Sequence, residues 1–195
     1  MAKNWGAALS VVLLLGLFGC GGLRYSNVSP EAKDFHPQRI SVLPAEAKAF
    51  PEAKEPIDRL FAEALREKKW FASVVGGEEI GRRLETDEPF RLTVSEYLTK
   101  LDRVTFSDPA LSRRIGEATK TEAILLVRVD YWNHTTEDDK KVGKVSLSLT
   151  MIDAGTGRIV WTAGHYRASD YRIMKPALPD VARDLIREMI DHMPR

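Results

Sequence analysis

From Val145 to Met151 the chain alternates without a break: Val145, Leu147, Leu149 and Met151 are apolar, while Ser146, Ser148 and Thr150 between them carry hydroxyls. A period of two puts one set on each side of a pleated strand, so this segment must bury one face and leave the other polar. Asp153-Ala-Gly-Thr-Gly157 follows, rich in residues that tolerate positive φ or bond within their own turn, and it reads as a hairpin turn. Arg158 to about Tyr166 returns as the next strand. Upstream, Ala123–Trp132 sends Leu125, Val127, Val129 and Tyr131 one way and Arg128 and Asp130 the other. By the same alternation Trp132 falls on the Arg128/Asp130 side. Glu137-Asp-Asp-Lys-Lys141 joins the two strands; its mixed signs and place at a hairpin tip mark a solvated loop rather than a cation site. These three strands form an antiparallel meander, and the rest of the chain must pack on it.

The other segments carry a helical period. Ile57, Leu60, Phe61, Ala64 and Leu65 make one stripe over about Glu55–Lys69, with Pro56 in the first turn. A short amphipathic helix is expected around Glu78–Leu84. Val94, Tyr97, Leu98 and Leu101 mark another helix, and Leu111, Ile115 and Ala118 a third, begun at Ser107-Asp108-Pro109. Leu178, Val181, Leu185, Ile186, Met189 and Ile190 form the strongest stripe, starting near Pro179. Arg39-Ile-Ser-Val-Leu-Pro44 and Trp70–Val75 read as short strands. Strand, helix, strand, several helices, meander, helix is an α/β arrangement: a mixed sheet with a C-terminal three-strand antiparallel meander and helices packed mainly on one face. The meander's polar face is then expected to meet water or a partner.

The chain begins quite differently. Lys3 precedes an apolar run from Ala7 to Phe18, which ends in Leu17-Phe18-Gly19-Cys20, and Cys20 is the only cysteine. A basic segment, an apolar stretch of about a dozen residues and a small residue before the cut describe a secretory signal peptide. Leu-x-Gly-Cys at its end resembles the lipobox of bacterial lipoproteins. That resemblance implies cleavage before Cys20, acylation of its new N-terminus, and, with Gly21 rather than an acidic residue following, sorting to the outer membrane facing the periplasm. The competing reading, a Trp5–Leu23 membrane anchor, barely reaches the length of a spanning helix and holds four glycines near its end. Residues 1–19 are therefore expected to be a signal peptide, 20–38 a lipidated tether, and 39–195 one domain. The tether shows no apolar period, and about 18 flexible residues span roughly 25 Å. The full chain carries 29 Lys plus Arg against 28 Asp plus Glu, a balance without the basic surface that nucleic acid requires.

Two stretches resemble the TolB N-terminal-like domain. Arg39-Ile-Ser-Val-Leu-Pro44 is similar to its first strand. Thr121–Arg128 followed by Ser148–Trp161, a strand–Asp–turn–Gly–strand–Trp pattern, is similar to its later strands. The superfamily includes TolB, the curli-secretion lipoprotein, lipoprotein activators of penicillin-binding proteins and a group of proteobacterial lipoproteins, the last of which the chain resembles best. The resemblance implies a fold and an envelope setting and transfers no catalytic residue. A pore like that of the curli-secretion relative is disfavoured, because the long strands are already needed for the domain's own sheet.

No catalytic signature accompanies this fold. The histidines are His36, His134, His165 and His192; none forms an i,i+4 metal pair, and the chain has no nucleophile elbow, phosphate loop or dinucleotide glycine motif. No cofactor or metal is expected. His165 reads as a satisfied strand-end histidine, and as the base of a hydrolase only in the alternative reading. His134 reads as a polar loop residue. Asn27-Val-Ser29 and Asn133-His-Thr135 match the glycosylation sequon by chance in a bacterial lipoprotein. Asp153 is expected to bond its own turn, and Trp161 to pack under the C-terminal helix. Arg128, Asp130 and Trp132 form the candidate interface. The expected role is a non-enzymatic accessory or assembly factor of an envelope secretion or export complex, with an envelope protein partner or a second copy of itself. Activation of a cell-wall synthase is the second reading.

Overall fold

The computed structural model describes residues 23–104 and 107–194; Cys20 and the signal segment lie outside the described residues. Six strands, β1 (Tyr25–Val28), β2 (Arg39–Val42), β3 (Ser73–Val75), β4 (Ala123–Glu137), β5 (Lys140–Asp153) and β6 (Ile159–Tyr171), form one sheet in the order β1-β6-β5-β4-β2-β3. The pairs β1–β6, β6–β5 and β5–β4 are antiparallel, whereas β4–β2 and β2–β3 are parallel. The sheet is thus mixed and the class α/β, as the alternation and helical stripes imply.

Five helices pack on it: α1 (Lys54–Lys68), α2 (Glu78–Thr86), α3 (Glu88–Val104), α4 (Pro109–Thr119) and α5 (Leu178–Asp191). Their stripes divide them between the two faces. Ile57, Phe61 and Leu65 of α1 and Val181, Leu185, Ile186, Met189 and Ile190 of α5 join Leu125, Val127, Val145, Leu147 and Leu149 in the larger core. Ion pairs from Lys68 to Asp191 and from Arg187 to Glu67 lie across the α1–α5 seam. On the reverse face Ile80, Phe90, Val94, Tyr97, Leu111 and Ile115 of α2–α4 close over Leu43, Ile124 and Ile152. That second layer covers only the end of the sheet where β4 begins. The outer half of the meander has no helix on this side.

Local chemistry accounts for the element ends. The Asp108 side chain accepts hydrogen bonds from the amides of Ala110 (2.9 Å) and Leu111 (3.2 Å), capping α4 with Pro109 just inside. The Lys100 ammonium at 2.8 Å holds the Asp108 carboxyl below its usual range, helped by those amides. Asp138 (φ 48°) and Asp139 (φ 62°) make a two-residue turn with both residues left-handed, which matches the strand twist and joins β4 to β5. Asp153 accepts from the amide of Gly155 (2.9 Å) and from the Thr156 hydroxyl (2.6 Å), the turn role its position implies. Trp161 is fully buried in the α1/α5 core.

Two expectations are corrected. Part of the stretch expected as a tether is built into the sheet. β1 pairs with β6 from Tyr25↔Gly164 to Val28↔Trp161, the Trp161 indole donates to the Ser26 hydroxyl at 2.9 Å, and a 3-10 turn over Pro30–Asp34 follows. β1 escapes detection because all four of its residues are exposed, and backbone pairing at an edge asks for no apolar period. Trp132 is the second correction. It is 5% exposed and lies in the α1/α5 core. The register of β4 on β5 slips between Val129 and Tyr131: Val129 faces Leu147, Tyr131 faces Ser146, and Asp130 is the extra residue. A one-residue bulge reverses the alternation beyond it. Trp132 therefore turns inward opposite Val145, and Tyr131 takes the outer position that alternation assigned to Trp132.

Candidate interaction surface

The bulge that buries Trp132 also assembles a polar line across the uncovered half of the sheet. Asp130, bulged out of β4, accepts from the Arg128 Nε at 2.8 Å and from the Ser148 hydroxyl of β5. Ser148 in turn accepts from the Tyr25 hydroxyl at 3.3 Å. Tyr25 reaches Ser148 by lying over Gly164 of β6, where a Cβ would collide with its ring. Arg128, Asp130, Ser148 and Tyr25 thus link β4, β5 and β1 over a glycine of β6. The bond from Asp130 raises the Arg128 pKa, with the charge of Glu46 adding to it against partial burial. Glu46 bridges to Arg128 along the β4 edge, and Lys48 extends the charges to Glu46 (3.4 Å) and Asp102 (2.8 Å).

Beside that line, Lys144 of β5 sits over the rings of Tyr166 (4.8 Å to the centroid) and Tyr131 (5.8 Å) while pairing with Glu137. Tyr25 and Tyr166 stay 40% and 44% exposed, the most open aromatic rings of the sheet. Arg128 and Asp130 are therefore brought together as expected, and Trp132 is not with them. Tyr25, Tyr131, Tyr166 and Lys144 were not singled out in the sequence. Tyr166 was within reach of the β6 alternation, but the others depend on the bulge or on β1.

The histidines have structural partners. His165 Nδ1 accepts from the Arg24 amide at 3.1 Å and Nε2 faces Glu188 of α5 at 3.3 Å, so the ring ties the start of β1 to α5. His134 lies within β4 rather than in a loop. Its Nε2 bonds the Pro176 carbonyl (2.9 Å), and its ring meets Tyr171 edge-on. The buried hydroxyls are also engaged. Thr119 and Thr121 share a 2.8 Å bond, and Thr121 donates to Ser41, which donates to the Ala123 carbonyl. Among the described residues, no group of three His, Cys, Asp or Glu side chains is placed to hold a metal ion.

The architecture defines a class first: one mixed sheet ending in a long antiparallel meander, with α1 and α5 on one face and three helices on part of the other. Solved structures share it. The PelC dodecamer from Paraburkholderia phytofirmans matches with a TM-score of 0.54 at 17% identity, covering 85% of this chain and 92% of that one. The hypothetical protein CT253 from Chlamydia trachomatis matches at 0.52 and 9% identity, covering 78% and 93%. Lipoprotein GNA1162 from Neisseria meningitidis gives 0.49 at 13% identity, covering 80% and 99%. No family model matches the chain, and no curated protein matches it. At such identities the likeness is one of fold.

Proposed function

We propose that the protein is a lipoprotein anchored through acylated Cys20 to the periplasmic side of the outer membrane, with a TolB N-terminal-like domain. It works there as a non-catalytic accessory or assembly factor of a secretion or export complex, binding protein through the uncovered sheet face. The observation that carries this reading is that face itself. Arg128, Asp130, Ser148 and Tyr25 are held in place by one another, and Tyr25 and Tyr166 remain open beside them. Ordered charges with exposed aromatic rings are the composition of a protein-binding patch. Self-association through this or a neighbouring surface is included, in line with the dodecameric state of PelC, which shares the fold.

The position of β1 bears on the choice of partner. Because the chain is already in the sheet at Tyr25, residues 20–24 span at most about 14 Å. A domain held that close to its membrane favours a membrane-proximal partner over a cell-wall synthase far across the periplasm. The engagement of both His165 nitrogens supports the non-enzymatic reading over a His165 hydrolase.

Photo-crosslinking in cells from Arg128, Tyr131, Ser148 and Tyr166 tests the surface, with Glu63 and Arg66 on α1 as comparison. The expected result is capture of an envelope protein or a second copy from the sheet face. Capture from α1 alone would show that the partner binds the other side. Membrane fractionation of Cys20→Ala tests the anchor: the variant should leave the membrane fraction.

A further inference from the structure

The most exposed large apolar side chains described are not on the sheet face. Ile173 and Met174, in the turn between β6 and α5, are 97% and 84% exposed. The turn is pinned at its base: His134 bonds the Pro176 carbonyl, Tyr171 packs on His134, and Gly143 leaves no room for a Cβ beneath the Pro176 ring. Arg172 and Lys175 flank the two apolar residues. With Lys141, His134 and Tyr171 they line an open groove of about 320 Å³. Arg172, Lys175 and Lys141 are exposed and have no ion-pair partner among the described residues. At the same end Lys140 pairs with Asp170 and Lys144 with Glu137. Three free cations therefore stand against the carboxylates of Asp138 and Asp139. Aliphatic residues at the tip of a fixed turn, ringed by cations, suit the boundary between acyl chains and phosphate headgroups.

The direction of β1 places this turn toward the bilayer. β1 runs antiparallel to β6, so the chain upstream of Tyr25 heads the same way as β6 does, past His165 and toward Tyr171. From His165 to Tyr171 is about 20 Å of strand. From Arg24 back to Cys20 is at most about 14 Å. An acyl anchor at Cys20 is thus too short to hold the 173–174 turn clear of the membrane when the strands point at it.

We infer that the Arg172–Lys175 turn is a second membrane contact. Ile173 and Met174 insert into the interfacial layer of a phospholipid bilayer, and Arg172, Lys175 and Lys141 meet lipid phosphates. This rests on the lipoprotein reading for the orientation but not for the contact itself. The two contacts together fix the tilt of the domain and hold the sheet face at a set height above the membrane.

Full-length, processed protein carrying a fluorophore at Met174→Cys, or at Glu117→Cys on α4 at the other end of the meander, is reconstituted into phosphatidylethanolamine–phosphatidylglycerol vesicles. Quenching by spin-labelled lipid is then read. Position 174 should be quenched severalfold more than position 117, and adding Ile173→Asp should bring the two level. The mass of the Cys20 peptide is measured on the same sample. Acylated Cys20 with position 174 no more quenched than 117 overturns the second contact and leaves the anchor standing, with the turn then free for a protein partner. Unacylated Cys20 with position 174 still quenched refutes the anchor and supports the contact. Position 174 unquenched in either state overturns it.

Discussion

At the scale of single residues, Trp132 carries the plainest consequence of the bulge. A tryptophan on the outer face would be an interface anchor whose loss spares the fold. Buried opposite Val145, it is a core side chain instead. Trp132→Ala should cost about 3–5 kcal/mol in chemical denaturation, whereas Tyr166→Ala, on the exposed face, should cost well under 1 kcal/mol. Similar small losses for both would place Trp132 outside. Glu122 offers a pH test. Burial raises its pKa, but the Arg39 guanidinium, with contacts at 2.6 and 2.9 Å, and the amides of Gln38 and Arg39 outweigh that and lower it. A carboxyl with a depressed folded pKa stabilises above its unfolded value and loses that contribution as pH falls through the folded one. Because Glu122 is 39% exposed the effect is discounted. Glu122→Gln should cost about 1 kcal/mol at pH 7, and the gap to the parent should close below about pH 4. A gap constant from pH 7 to 3 would mean that the charge of Glu122 plays no part.

At the scale of elements, what could be read in advance followed from periodicity. The helical stripes located α1, α4 and α5 to within a residue or two, and strict alternation marked β5 and its turns. What could not be read shares one cause: backbone pairing leaves little trace in side-chain pattern. The bulge at Asp130 adds a residue without altering composition, so alternation continued to the wrong side at Tyr131 and Trp132. β1 is polar and exposed throughout, so its sequence looks like linker. Yet it covers the β6 edge and supplies the Ser26 hydroxyl to the buried Trp161 indole. Ser26→Ala should therefore lower stability by about 1 kcal/mol. Removing residues 21–34 should do more, stripping the edge and leaving β6 open to pairing between molecules. Light scattering on heating would show it. A trimmed domain that melts like the parent and stays monodisperse would mean that β1 is a passenger on the sheet.

At the scale of the whole molecule, the two faces of the sheet have separate duties. The α1/α5 layer supplies most of the buried apolar surface. The other face, half covered by α2–α4, leaves the Arg128–Asp130–Ser148–Tyr25 line open. That division makes α5 the element on which folding depends most, although it is the last to be made. Val181, Leu185, Ile186, Met189 and Ile190 are all at most 4% exposed, and they cover Val127, Leu147 and Leu149 of the meander. Five large buried side chains at roughly 1.5–3 kcal/mol each are comparable with the entire stability of a domain this size. Ending the chain at Pro176 should therefore abolish cooperative unfolding, leaving a species that binds hydrophobic dyes and shows no sharp thermal transition. The polar line should go with it, because β4, β5 and β6 keep their relative positions only while their inner face is covered. Lys68→Ala with Arg187→Ala, which removes the α1–α5 ion pairs but no apolar contact, separates packing from charge. That variant should lose at most about 1–2 kcal/mol and still melt cooperatively. If it unfolded like the truncated chain, the α1–α5 layer would be held by its surface charges rather than by the core beneath it.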